Sequence, residues 1–237
     1  MNYSAPDFYN IDEWLTDEER MIRDTIREFT TKEIMPIISD CYIKDEFPKQ
    51  LVPQLAELGT LGATIQGYEC AGLNYTSYGL IMQELERGDS GIRSFVSVQG
   101  ALCMFPISAF GTEEHKKKYL PKMAKGEMIG CFGLTEPDFG SDPGGMVTRA
   151  RKDGNDYIIN GAKAWITNGG LADLAIVWAK NDEGKIKGFI VERGTPGFST
   201  RDIHKKFSLR ASVTSELIFG LHKCRCRRPK RSFLMLK

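Results

Sequence analysis

The chain has 237 residues, of which 41% are hydrophobic and 27% charged, and its formal net charge is +1. This is an ordinary globular composition, large enough for one big or two small domains. The near-zero charge hides an asymmetry: residues 220–237 carry seven Lys/Arg and no Asp/Glu, which leaves 25 basic against 31 acidic side chains in 1–219. Cys41, Cys70, Cys103 and Cys131 stand apart in apolar surroundings and read as free core thiols of a reducing compartment. Cys224 and Cys226 form a C-x-C pair with no second pair downstream, so zinc, or any other metal, is not expected. No spanning helix is expected, and the opening Met1–Asp7 shows neither a secretory nor a transit pattern. A cytoplasmic protein without membrane insertion follows as the expectation.

Residues 1–127 read as helical. Thr16 and Glu19 form a capping box, and Ile22, Ile26, Phe29 and Ile34 recur near helical spacing until Pro36, which should end or bend the helix. A second helix holds Leu51, Leu55 and Leu58 and stops at Gly59. A glycine-rich connection, 62–72, follows. Further helices are predicted over about 75–87, 90–110 and 113–124, the last opening with Thr112-Glu113-Glu114. The period changes after Met128. Strands are predicted at 128–134, 147–151, 157–161, 174–179, 188–191 and 216–219, with a hairpin turn at 152–156. The fold class expected is therefore multidomain α+β: an N-terminal all-α domain over 1–127, then a small β-sandwich or barrel over 128–219. Residues 220–237 form an atypical basic tail.

Two segments carry the chemical signal. The first is Cys131-Phe132-Gly133-Leu134-Thr135-Glu136-Pro137-Asp138-Phe139-Gly140-Ser141-Asp142, a strand running into a turn rich in hydroxyls, acids and Gly. Such a turn can offer N–H groups and hydroxyls to a flat, polar-edged ligand. The second is Trp165-Ile166-Thr167-Asn168. From composition alone the first is equally a loop whose hydroxyls cap their own backbone, and the second a core strand. Their order behind five predicted helices shifts the balance.

Together with Leu61–Tyr68, Glu84–Ser94, Gly111–Glu114, Lys118–Pro121 and Lys206–Ser212, these segments resemble the acyl-CoA dehydrogenase family, and within it the glutaryl-CoA dehydrogenases. The resemblance spans residues 15–219. It implies FAD between the β-domain and the helices, contacted by Phe132, Gly133, Leu134, Thr135 and Ser141 on one side and by Trp165, Ile166 and Thr167 on another. In such enzymes the flavin takes the hydride and the protein orients it. Ser141 would also touch the acyl-CoA. Arg93 is the position at which the glutaryl-CoA enzymes grip the distal carboxylate of their substrate, with Ser94 beside it, and a guanidinium fork suits a carboxylate. A buried Arg93 would need such an anion. From its sequence alone Arg93 is also a solvated helix-end arginine.

The resemblance further implies oxidation of an acyl-CoA between Cα and Cβ, for glutaryl-CoA with decarboxylation to crotonyl-CoA. It implies an electron-transferring flavoprotein as acceptor and a homotetramer in intact relatives. The family's base is a glutamate in a C-terminal helical domain that has no counterpart in these residues, so no catalytic residue is assigned. The chain is expected to be an incomplete, inactive form, with 220–237 arising from a shifted reading frame. An acyl-CoA oxidase of the same fold is one alternative. The other is a non-catalytic fragment whose basic tail meets nucleic acid or anionic lipid.

Overall fold

The computed structural model describes residues 8–227. The side chains of 221–227, including Cys224 and Cys226, and the basic run 228–237 lie outside the described residues.

Among the described residues, seven α-helices form the first half. α1 (Asp17–Phe29) starts as its capping box dictates: Thr16 Oγ1 accepts from Glu19 N at 3.2 Å and Glu19 Oε2 accepts from Thr16 N at 2.8 Å. Glu19 also accepts from Asn74, whose own side chain caps α4 (Tyr75–Gly88) through Ser77 N. One pair of side chains thus fixes two helix starts. α1 does not end at Pro36. A π-helical segment, Thr30–Ile34, leads into α2 (Met35–Lys44) with Pro36 in its first turn. A second π segment, Val98–Met104, joins α5 (Ser90–Ser97) to α6 (Phe105–Phe110) just before Pro106. Proline lacks an N–H and crowds the carbonyl four residues back, and a widened turn upstream absorbs both defects. α3 (Leu51–Glu57) closes with Gly59 at φ 68°, a left-handed cap that glycine adopts freely. α7 (Glu113–Ala124) is capped by Thr112.

Ser90–Phe110, 21 residues with a mean hydropathy of 1.2, is long and apolar enough to cross a membrane, contrary to expectation from the sequence. Its Ile92, Phe95, Val96, Cys103, Met104 and Ile107 are buried in the main core with Leu55, Ile81 and Leu85 from neighbouring helices. Each such side chain stabilises the fold by about 1.5–3 kcal/mol, which accounts for the apolarity without lipid.

The strands are β1 (Gly130–Gly133), β2 (Arg149–Asp153), β3 (Asp156–Thr167), β4 (Leu174–Lys180), β5 (Ile186–Glu192), β6 (Phe198–Asp202) and β7 (Thr214–Arg227). They form one curled seven-stranded sheet, β1-β4-β2-β3-β7-β6 with β5 on β4, which makes the small β-domain expected behind the helices. β1 and β4 are parallel, and β2–β3 is a hairpin whose two-residue turn begins at Gly154, φ 59°. β7 runs through 219, the expected domain end, and pairs with β3 as far as Arg227.

β4 is buried on both faces. Leu174, Ile176 and Trp178 join the helical core, while Ala175, Val177 and Ala179 face a second cluster with Phe189, Val191, Leu217 and Phe219. The sheet therefore curls over its own apolar layer and shows its other face to the helices. Gln99, fully buried in the second π segment, ties the two halves. Its Nε2 donates to Met128 O (2.8 Å) and Met123 O (3.1 Å), and its Oε1 accepts from Gly130 N (2.8 Å).

Candidate functional site

β1 leaves the sheet at Gly133 and becomes the hydroxyl-bearing turn. Phe132 and Leu134 point toward the helical core, and the Phe132 ring meets Trp178 edge-on at 6.0 Å. Gly133 lies against Leu217 and Lys163: a Cβ there would come within 3.1 and 3.3 Å of them, so a larger residue would push the strand off its neighbours. Thr135 is half-buried and Ser141 exposed.

The strand led by Trp165 lies alongside. β3 carries an irregularity between Lys163 and Ile166, where its register against β7 shifts. Within that bulge Trp165 has φ 62°, unusual for a large residue, and its indole is 64% exposed. The bulge turns the ring out of the sheet. Ile166 turns the other way, into the second core cluster, so it can serve a ligand only through its backbone. Thr167 is half-buried and pairs with Thr214.

The two segments are bonded to each other. Ala164 N donates to Thr135 O at 2.9 Å. Pro137 from the turn and Ala164 and Trp165 from the strand line one open cleft of about 490 Å³, completed by Arg201, Asp202, Ile203 and Glu216. Behind the wall Lys163 and Glu136 form an ion pair at 2.8 Å, with the two side chains 0% and 2% exposed. Lys163 Nζ also donates to Leu134 O at 3.0 Å, and Glu136 accepts from Val147 N (2.7 Å) and Thr148 N (3.0 Å). Burial pushes the Glu136 carboxyl up. The Lys163 ammonium, with Thr148 and the two backbone donors, more than offsets this and holds it at about 2.

Arg93 lies between the two readings its sequence allowed, neither fully buried nor fully solvated. It is about one-third exposed and pairs with Glu86 of α4 at 2.5 Å, within the helical domain. Glu86 accepts from Ser90 as well. Sequence reasoning missed Glu86, which lies one helix away; nothing local marks it. The neighbouring Ser94 is half-buried on the same helix. The start of α5 packs on the loop before β7: a Cβ on Gly91 would meet Ala211 C and Ser212 N at 3.1 Å. Asn168 N donates to Val213 O. The 211–214 loop thus connects the Arg93 helix to Thr167 and Asn168, although Arg93 and Ser94 do not line the Trp165 cleft.

Family models for the acyl-CoA dehydrogenase N-terminal and middle domains match residues 16–127 and 131–220. The chain belongs to the acyl-CoA dehydrogenase family. A short-chain-specific acyl-CoA dehydrogenase from Clostridium acetobutylicum is 40% identical over 212 residues, 86% of this chain and 55% of its own length. The structure of a glutaryl-CoA dehydrogenase from Mycobacterium smegmatis in complex with FADH2 superposes with a TM-score of 0.92 at 50% identity, covering 97% of this chain and 58% of that one. A structure described as the electron transferring flavoprotein of Acidaminococcus fermentans matches with a TM-score of 0.87 at 36% identity, over 97% of this chain and 60% of that one. The chain thus spans little more than half the length of these relatives. Its two halves correspond to the helical and middle domains of the acyl-CoA dehydrogenases.

The donor set suits a flavin. An exposed indole offers a stacking face, and the hydroxyls of Thr135, Ser141 and Thr167 stand on elements bonded to one another or to the same sheet.

Proposed function

We propose that this chain binds FAD against the Phe132–Thr135 turn and the Trp165–Thr167 strand, and serves the oxidation of an acyl-CoA thioester between Cα and Cβ. The observation carrying the proposal is the Thr135–Ala164 hydrogen bond, which makes the two segments one wall. When bound, the flavin supplies hydride acceptance. The residues of this chain do the rest: Trp165 covers one edge of the cofactor, the backbone of 132–135 and 166 presents donors and acceptors, and the Thr135, Ser141 and Thr167 hydroxyls orient it. The Lys163–Glu136 pair stiffens the wall from behind.

For the substrate we infer a short dicarboxylyl-CoA, glutaryl-CoA first. Support comes from the 50% identity to the mycobacterial glutaryl-CoA dehydrogenase and from Arg93, whose guanidinium remains accessible beside Glu86. In this reading an incoming carboxylate takes a share of the guanidinium donors, and Ser94 assists. Electrons would leave through an electron-transferring flavoprotein, the kind of partner found among the structural relatives. A homotetramer is carried over from the family as a proposal. Free Cys41, Cys70, Cys103 and Cys131 agree with a reducing, cytoplasmic setting. Gel filtration of the purified chain after mixing with FAD tests the reading. Flavin absorbance is expected to travel with the protein peak, and its complete separation from a folded protein would refute cofactor binding.

A further inference from the structure

Neither Lys163 nor Glu136 lines the Trp165 cleft, and both charged groups are almost wholly buried. Removing two charges from water costs several kcal/mol per ion, and such a pair often contributes no more than apolar residues of equal volume would. What it does supply is direction. Lys163 Nζ holds Leu134 O at 3.0 Å. The Leu134–Thr135 peptide is planar and trans, so its N–H points opposite to that carbonyl. With the carbonyl drawn in toward the ammonium, the Thr135 N–H must face away from the pair. The next peptide is fixed as well, because Thr135 O accepts from Ala164 N. Glu136 in turn accepts from Val147 N and Thr148 N, which closes the loop 137–146 that carries Ser141.

We propose that Lys163, held by Glu136, is a positioning residue: it sets the Leu134–Thr135 peptide so that the Thr135 N–H is presented to the cofactor, and it anchors the base of the Ser141 loop. This rests on the flavin reading above. Lys163 touches neither cofactor nor substrate and acts through the backbone it holds. Glu136 is the counter-charge that keeps the ammonium in place. The same two side chains therefore orient donors on both arms of the turn.

The test is an FAD titration, followed by flavin fluorescence, on the full chain and on Lys163→Met, Glu136→Gln and the double variant. The urea midpoint of each is measured in parallel. The double variant is expected to regain most of the stability that either single variant loses, yet to bind FAD at least about tenfold more weakly, the equivalent of one hydrogen bond of about 1.4 kcal/mol. A double variant that is stable and binds FAD as the parent does would overturn the proposal. Should the variants not fold, amide exchange on the parent chain decides: FAD is expected to slow exchange at Thr135, and an unchanged Thr135 rate with FAD bound would overturn it equally. A folded parent that binds no FAD strikes the flavin reading itself, and the proposal falls with it. Binding with an indifferent Lys163 strikes only the positioning role.

Discussion

Gln99→Leu is expected to loosen the joint between the helical and β halves. The side chain is completely buried and satisfies three backbone groups from two segments, Met123 O, Met128 O and Gly130 N. Leucine keeps most of the volume but leaves Met128 O and Gly130 N without a partner, away from water, while Met123 O keeps its bond from Gly126 N. Each orphaned buried group costs about 1–3 kcal/mol, so the loss from the two should be roughly 2–4 kcal/mol once partial relaxation is allowed. That is a large share of the 5–15 kcal/mol or so typical of a whole domain. No easy repacking is available: a methyl group added at Gly130 would already lie 2.7 Å from Cys103 Cβ and 2.9 Å from Met123 Cε. Urea unfolding followed by both helical circular dichroism and tryptophan fluorescence reads the effect. Trp178 and Trp165 stand in the β half, and the third tryptophan, Trp14, is already exposed in the fold, so the two probes should separate in the variant. A loss below about 1 kcal/mol with coincident transitions would show that Gln99 is not the joint.

Stability should also depend on acid through Glu136. Its carboxyl lies at about 2 in the fold against 4.5 for a free side chain, a depressed value. The contribution, roughly 3 kcal/mol, is therefore complete above about pH 4.5 and lost as pH falls toward 2. Urea midpoints across that range should drop in the parent and stay flatter in Glu136→Gln; parallel curves would exclude Glu136 as the source. Arg93→Gln should weaken glutaryl-CoA binding by about 10–150-fold, the value of a charged hydrogen bond of roughly 1.5–3 kcal/mol, and leave butyryl-CoA unaffected. Equal losses for both ligands, measured calorimetrically, would remove the distal-carboxylate role.

Much of the helical half was legible because its signals are local. Thr16 and Glu19 fix α1, Thr112 fixes α7, and the apolar spacing of 75–87 gives α4 almost to the residue. The π segments were not legible, since they answer to prolines in the following turn and to packing, with no composition of their own. β6 was missed for a similar reason. Phe198-Ser199-Thr200-Arg201-Asp202 has a single apolar residue, and it becomes a strand because Phe198 stacks on Phe219 at 5.0 Å and β7 supplies a partner edge.

Of the residues that line the cleft, Pro137 and Trp165 fall in the segments singled out from the sequence, whereas Ala164, Arg201, Asp202, Ile203 and Glu216 do not, and neither do the residues that support the wall. The hydroxyl-rich turn and the tryptophan advertise themselves by type. Lys163 sits in a strand where a lysine would ordinarily be solvated, and its partner is 27 residues upstream. A lysine flanked by alanines in a buried strand was the one available hint. The Glu86 partner of Arg93 was not legible, because it comes from the preceding helix. β7 was cut short at 219 because basic composition masked a strand that backbone pairing with β3 continues.

The most direct measurement is a crystal structure of the chain grown with FAD. The account predicts the isoalloxazine ring lying between the Phe132–Thr135 backbone and the Trp165–Thr167 strand, with the Thr135–Ala164 bond intact. A flavin bound elsewhere, or those two segments parted with no shared cleft, would contradict it.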